Sequence, residues 1–412
     1  MTDPTGLCFL SYRRARAAEA SLLIAALRDR GIPTWQDIAD LATTPTEEAL
    51  RRVLADPGTA SAIMFATPEV EHSPVIRDIE APAIVARHLR GDGFFAVPVA
   101  AGGLDYADMP RVLGPHIGLT HLPGWNILRI AADPADEATA ASIADLVLEQ
   151  RLATIHARLP VANALRVMIS TRAPLPKAPG PALAIDLTHR FTGRVATADA
   201  WATTILPGLR SIVRAVQSRA AGRDVELSGL VAIPAAVAVG AAFLSLAGVR
   251  ITWCQDQQSF GKPSAIWGLH HDREPSGFQV VTHPRTVGAS DIALLVSVAA
   301  DVDGDFNLVS GTMPSLRAVI SVARPASTCN ATRPVLTAGQ ALDVAHLAID
   351  ALRATRSSYQ ARGTVHLFLA VPVGLAMMIG QLLNTFGQIQ TYEHMPGVPI
   401  PYLPAAKLTP SF

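Results

Sequence analysis

The chain is 412 residues long, carries a formal net charge of +0 and is 17% charged. That length provides for about two or three domains with cores of their own. The balanced charge excludes a global field directed at nucleic acid or an anionic membrane. Cys8, Cys254 and Cys329 stand alone without metal-type spacing, which fits a reduced cytoplasmic setting. Arginine dominates the cations, and the lysines are Lys177, Lys262 and Lys407. No charged segment followed by an apolar one opens the chain, so no signal peptide is expected.

Residues 7–12, LCFLSY, read as a buried strand. Residues 13–30 follow with Ala17, Leu22, Leu23, Ala26 and Leu27 at helical spacing, and Gly31 is the stop. Residues 32–35 are a short strand, and 36–45 are a polar loop containing Asp37 and Asp40. Thr46 then opens a helix through Leu54, with Glu47 and Glu48 suited to its N-terminal dipole. Residues 61–65 form the third strand. Ser73 and Pro74 start a third helix. Val75, Ile79, Ala83 and Ala86 are expected to face its core, with Glu80 on the face of Ser73. Residues 94–99 are the fourth strand. Strands alternating with helices in this way predict a parallel sheet covered on both faces. Reactive groups gather beyond the carboxyl ends of such strands. Three segments converge there: residues 11–14, 35–41 and 73–80. The bland reading of Glu80 is a helix charge paired with Arg77 or Arg87.

FLSYRR at the first strand, GIPTWQDIADL around the second and SPVIRDIE at 73–80 resemble a TIR domain over roughly residues 5–130. Ile76 and Arg77 stand where the family's pattern has an aromatic residue and a cysteine. The resemblance implies a flavodoxin-like parallel-sheet domain over 1–132 and, in enzymatic members, NAD+ cleavage that depends on the glutamate at the position of Glu80. NAD+ is then a substrate, and no bound cofactor or metal is expected. A fixed carboxylate beside the ribose would stabilise the oxocarbenium-like state left as the neutral nicotinamide departs. Substrate contacts are expected from Ser11, Tyr12, Arg13, Trp35, Asp37, Leu41 and Ser73. Tyr12 or Trp35 would stack on a ring, and Arg13 or Arg14 would meet phosphates. Trp35 also suits a core, and Asp37 suits a cap of its own loop. TIR domains that only scaffold other proteins form the alternative reading.

Residues 133–160 read as a connecting helix with an acidic front and a basic end. Residues 165–170 and 183–187 are strands, the proline-rich loop between them carries Arg172 and Lys177, and 198–219 is a helix. LVAIPAAVAVGAAFLSLAGVRITW at 230–253 then repeats as FLAVPVGLAMMIGQLLNTFGQIQTY at 368–392. The repeat is an internal duplication of strand, proline turn, small-residue helix, glycine stop and strand. It aligns Ala232, Ile233 and Pro234 with Ala370, Val371 and Pro372. Residues 227–249 are uncharged and long enough to span a bilayer. The second copy carries His366, Gln381 and Asn384, which a membrane span accommodates poorly, so both copies are read as soluble Rossmann-like units.

The LAVP helix, the QTYEH segment and the YLPAA tail resemble the SAVED domain, a fused pair of CARF-like units, over 161–412 with halves at about 161–275 and 276–412. That family senses cyclic oligonucleotides. The order TIR then SAVED resembles bacterial anti-phage effectors, which implies a cyclic trinucleotide, expected to be cyclic triadenylate, as activator. Phosphate and base contacts belong at strand ends and helix starts. The candidates are Arg172, Lys177, His189, Arg190, Pro234, Gln255, Lys262, Arg285, Arg324, Pro372, Gly374 and Tyr392. His270, His271 and Asp272 suggest no metal, because adjacent histidines point apart. Ligand-driven head-to-tail association into an oligomer or filament is expected, with neither membrane nor DNA as a partner.

Overall fold

The computed structural model describes residues 1–35, 46–113, 128–129, 136–176, 180–243, 249–325 and 335–409. The chain divides into two compact units. The first comprises residues 1–168, 175–186 and 214–223, and the second comprises 169–174, 187–213 and 224–412.

In the first unit, strands β1 (Leu7–Ser11), β2 (Thr34–Trp35), β3 (Thr59–Ala66), β4 (Phe95–Ala100) and β5 (Leu128–Arg129) form one sheet in the order β2-β1-β3-β4-β5. Every pairing is parallel. All eight residues of β3 are buried, as a central strand covered on both faces requires. Helix α1 (Ala17–Asp29) is followed by Gly31 at φ 76°, a left-handed turn that suits glycine. Helix α2 (Thr46–Ala55) and helix α3 (Ala81–Leu89) pack over a core that includes Phe9, Leu50, Leu54, Met64, Ile76 and Ile84.

The third helix departs from its expected form. A 3₁₀ turn at Pro68–His72 leads into a π-helical turn at Val75–Glu80, and only then does α3 begin. The π turn inserts a residue into the helical period and rotates the stripe. Ile76, Glu80, Ala81, Ile84 and Val85 are buried, whereas Val75 and Ala86 are exposed and Ala83 is intermediate. The expected stripe is therefore corrected at Val75 and Ala86, while Ile79 and Ala83 pack against the core.

Helix α4 (Glu137–Arg158) starts at Asp136, whose side chain accepts from Thr139 N at 2.7 Å. It was expected to connect the domains and to pack against one or both of them, and it packs within the first unit. Arg151 explains why. This guanidinium is 1% exposed and donates to the carbonyls of Thr5, Gly6 and Ala182 at 2.5, 2.7 and 2.8 Å.

The remaining strands are β6 (Leu165–Ser170), β7 (Leu183–Asp186), β8 (Val225–Leu230), β9 (Ile251–Gln255), β10 (Ala265–Gly268), β11 (Gln279–Pro284), β12 (Asp291–Ser297), β13 (Leu316–Ala323), β14 (Val365–Ala370), β15 (Ile389–His394) and β16 (Tyr402–Leu408). They form two sheets, β10-β9-β8-β6-β7 and β11-β13-β12-β14-β15-β16. Apart from the edge strand β11, the two orders are the same, so the duplication extends over the whole of each half. Helices α5 (Leu206–Arg219), α6 (Ile233–Ala242), α7 (Ala338–Tyr359) and α8 (Val373–Gln381) accompany them. Helix α7 opens with a full capping box of Thr337 and Gln340.

Helices α6 and α8 correspond, but two residues out of the expected register. Ala232 caps α6 and Pro372 caps α8, so Pro234 answers to Gly374 and the two prolines are not equivalent. The same offset relates Gly240 to Gly380. A Cβ on Gly240 would strike Met377 O and one on Gly380 would strike Val237 O, so the helices cross backbone to backbone at both glycines. Among the described residues, no helix is long and apolar enough to cross a membrane.

Candidate functional site

The first site lies at the carboxyl ends of the parallel strands in the first unit. Ser11 is the last residue of β1 and Glu80 the last of the π turn. Ser11 Oγ donates to Glu80 Oε2 at 2.5 Å, and the residues are 3% and 5% exposed. Ser73 is also buried, its carbonyl accepts from Arg77 N at 3.0 Å, and its Oγ accepts from Arg13 Nη1 at 3.3 Å. Ser11, Arg13, Ser73 and Glu80 are thus brought together. The two arginines of the bland reading go elsewhere. Arg77 donates to Glu71 O at 3.0 Å. Arg87 donates to Leu54 O and Thr2 Oγ1 and lies 4.6 Å from the centroid of the Phe94 ring.

Trp35, at the end of β2, stacks on Phe9 with centroids 5.1 Å apart. One of its faces therefore belongs to the core. Tyr12 follows Ser11 and is half-buried. Asp37 and Leu41 lie outside the described residues. Beside these groups Arg16 holds Glu69 at 2.8 Å and Glu19 at 3.0 Å. The Arg16 hydrogen bond keeps the Glu69 carboxyl at about 2, well below the usual carboxylate range. Sequence reading missed this clamp and the π turn. Neither has a local signature, because the clamp spans 53 residues and a π turn shares its composition with any helix. A buried carboxylate beside a hydroxyl can accept from a sugar hydroxyl and stabilise nearby positive charge.

The second site is a cleft of about 300 Å³ in the second unit. Its walls come from Gln255 at the end of β9, Asp256 and Gln257 after it, Trp267 on β10, Val298 and Ala299 after β12, Leu336 before α7, and Pro372 and Val373 at the start of α8. Gln255 Oε1 accepts from Gly374 N at 3.0 Å. Only glycine fits there, since a Cβ would lie 2.9 Å from Trp267 Cε3 and 3.1 Å from Trp253 Cδ1. The buried Trp267 indole N–H has no hydrogen-bond partner among the described residues. An apolar cleft with a few amide groups and an indole edge suits a planar heterocycle such as a nucleobase.

Of the candidates named for this unit, Gln255 and Pro372 line the cleft and Gly374 backs it. The others are dispersed. Pro234 is buried in the first turn of α6. His189 and Arg190 sit in a 3₁₀ turn at Thr188–Arg190. Lys262 and Arg285 are exposed, and Arg324 lies over the Phe278 ring at 5.3 Å. Arg172 is paired with Glu393. Tyr392 is a core residue, stacked on Phe368 at 4.2 Å and bonded to His366 Nδ1 at 2.8 Å; burial pushes its phenol up to about 12. Lys177 lies outside the described residues. Trp267 and Gln257 escaped the sequence reading, because a tryptophan in a short edge strand looks like ordinary core. Among the described residues, no group of three or more His, Cys, Asp or Glu side chains could hold a metal ion.

No curated protein sequence matches the chain. A structure of the Acinetobacter baumannii Cap4 SAVED/CARF-domain containing receptor with the cyclic trinucleotide 3'3'3'-cAAA is similar at TM-score 0.50 and 12% identity, covering 96% of this chain and 97% of that one. The same receptor with 2'3'3'-cAAA gives TM-score 0.49 and 12% identity over 96% and 97%. At this identity the likeness is one of fold. Residues 209–408, which hold both the cleft and the α6–α8 crossing, match the family SAVED, the SMODS-associated and fused to various effectors sensor domain.

Proposed function

We propose that the protein is an NAD+ glycohydrolase of anti-phage defence, switched on when a cyclic oligonucleotide of the triadenylate class binds the cleft of the second unit. The observation that carries the catalytic reading is the buried Glu80 carboxylate bonded to Ser11 Oγ at the strand ends. The parallel order β2-β1-β3-β4-β5 supports the TIR resemblance, because that order puts a ligand crevice at these strand ends. The sensor reading is supported by the SAVED match and by the cyclic trinucleotide in the similar Cap4 receptor.

In this reading the nicotinamide–ribose bond breaks with its electron pair passing to the ring, which leaves neutral. Positive charge develops at the ribose, and the Glu80 carboxylate stabilises it in a site shielded from water. Ser11 holds that carboxylate in place, and Arg13 is positioned for a phosphate. Water supplies the oxygen and releases a proton, giving ADP-ribose. No general acid is required, because the leaving group carries its own charge. Ligand-bound second units associate head to tail, and activity depends on that assembly.

The test is NAD+ consumption by the full chain across a panel of cyclic di-, tri- and tetranucleotides. Cyclic triadenylate should elicit cleavage, and Glu80→Gln should lower the rate by about a hundredfold or more. Intact NAD+ under every ligand, or full activity in Glu80→Gln, would refute the enzyme and leave the scaffold reading.

A further inference from the structure

The duplication places two equivalent sets of strand ends in the second unit, and they differ. Leu227 pairs with Trp253 as Leu367 pairs with Thr391. Thr171 N bonds Leu230 O as Val298 N bonds Ala370 O, both at 3.0 Å. Leu227 and Leu230 thus answer to Leu367 and Ala370. In the same register Arg172 answers to Ala299, and Glu393 answers to Gln255.

At the open cleft, Gln255 and Ala299 border a cavity of about 300 Å³. At its counterpart, Arg172 Nη2 donates to Glu393 Oε1 at 2.5 Å, and Arg194 Nη2 stands 3.1 Å from the same oxygen. Arg172 Nη1 also donates to Arg194 O at 3.1 Å. Glu393 is 3% exposed, and its Oε2 has no hydrogen-bond partner among the described residues. Two guanidiniums therefore face one carboxylate that uses only one of its oxygens. A pair selected for stability alone would satisfy both oxygens, since an unmet buried acceptor is costly. Paired guanidiniums converging on one oxygen are the arrangement that receives phosphate.

We propose that Arg172 and Arg194 form a phosphate site and that Glu393 is its resident competitor, closing one of the two sets of strand ends so that ligand enters at the other. The arginine site stands on its own geometry, whereas the contrast with the open cleft rests on the nucleotide reading above. The ligand chemistry is a phosphate oxyanion, either free or as a phosphodiester.

Isothermal titration of the full chain with inorganic pyrophosphate, and separately with cyclic triadenylate, tests this. Glu393→Gln should bind pyrophosphate at least about tenfold more tightly than wild type, because the competing charge is gone. Adding Arg172→Gln should cancel that gain. A gain for pyrophosphate alone assigns the site to small phosphates, and an extra bound equivalent of cyclic triadenylate assigns it to a nucleotide. Equal pyrophosphate affinity in wild type and Glu393→Gln, or a gain that survives the loss of Arg172, overturns the proposal. If wild type takes no cyclic triadenylate, the reading of the open cleft fails while the pyrophosphate comparison still decides this one. Should Glu393→Gln not fold by circular dichroism, Glu393→Ala, which also removes the competing charge, gives the same comparison.

Discussion

Arg151 shows how one side chain fixes the place of a helix. Taking a guanidinium out of water is costly unless its donors are met, and here three carbonyls meet them. Arg151→Ala orphans those carbonyls and should cost about 3 kcal/mol or more. The melting temperature should then fall by roughly 6–12 °C, as read by calorimetry. His366 is a second buried test. Burial holds its imidazole below the usual value of 6.5, against the opposing pull of Asp291 at 3.2 Å. The unfolded chain therefore takes up this proton at a higher pH than the fold does. Its contribution to stability is complete above about pH 6.5 and is lost as the pH falls through that value toward the depressed one. Urea denaturation at about pH 7.5 and about pH 5.5 should show the loss, and His366→Gln should make it shallower. Glu80 was legible as a residue, through the motif around it. Its burial was not, because that depends on the phase of a turn.

Helical elements were found from period and punctuation, and their phases were not. The π turn at Val75–Glu80 turns Val75 outward and Ile76 inward, and it carries Glu80 to the strand ends. A hydrogen-bond shift of one residue leaves no mark in composition. The duplicated helices make the same point. Aligning their prolines matched Pro234 with Pro372, while packing matches Gly240 with Gly380. Proline tolerates several positions at a helix start, whereas a backbone crossing tolerates only glycine. Gly380→Val should force α6 and α8 apart and cost about 2 kcal/mol or more, measured by urea denaturation. An unchanged midpoint would show that the helices can slide past each other.

Across the whole molecule, each unit has its own core and chemistry, and the proposed coupling runs through assembly. Cyclic triadenylate should raise the scattering mass of wild type and of Glu80→Gln alike, while only wild type consumes NAD+. A Glu80→Gln chain that fails to assemble would make Glu80 structural rather than catalytic. The order of strands and helices over residues 7–99, the duplicated helices and the strand-end placement of Ser11, Ser73 and Glu80 were legible in the sequence alone. Each rests on local period, punctuation and self-similarity, which neighbouring residues carry. Tertiary structure alone decided that α4 belongs to the first unit, that Trp267 walls a cleft, and that of two equivalent strand ends one borders that cleft and the other carries the Arg172–Glu393 pair. Those outcomes turn on contacts between residues far apart in the chain, 221 positions in the case of Arg172 and Glu393, and no local pattern encodes such a pair.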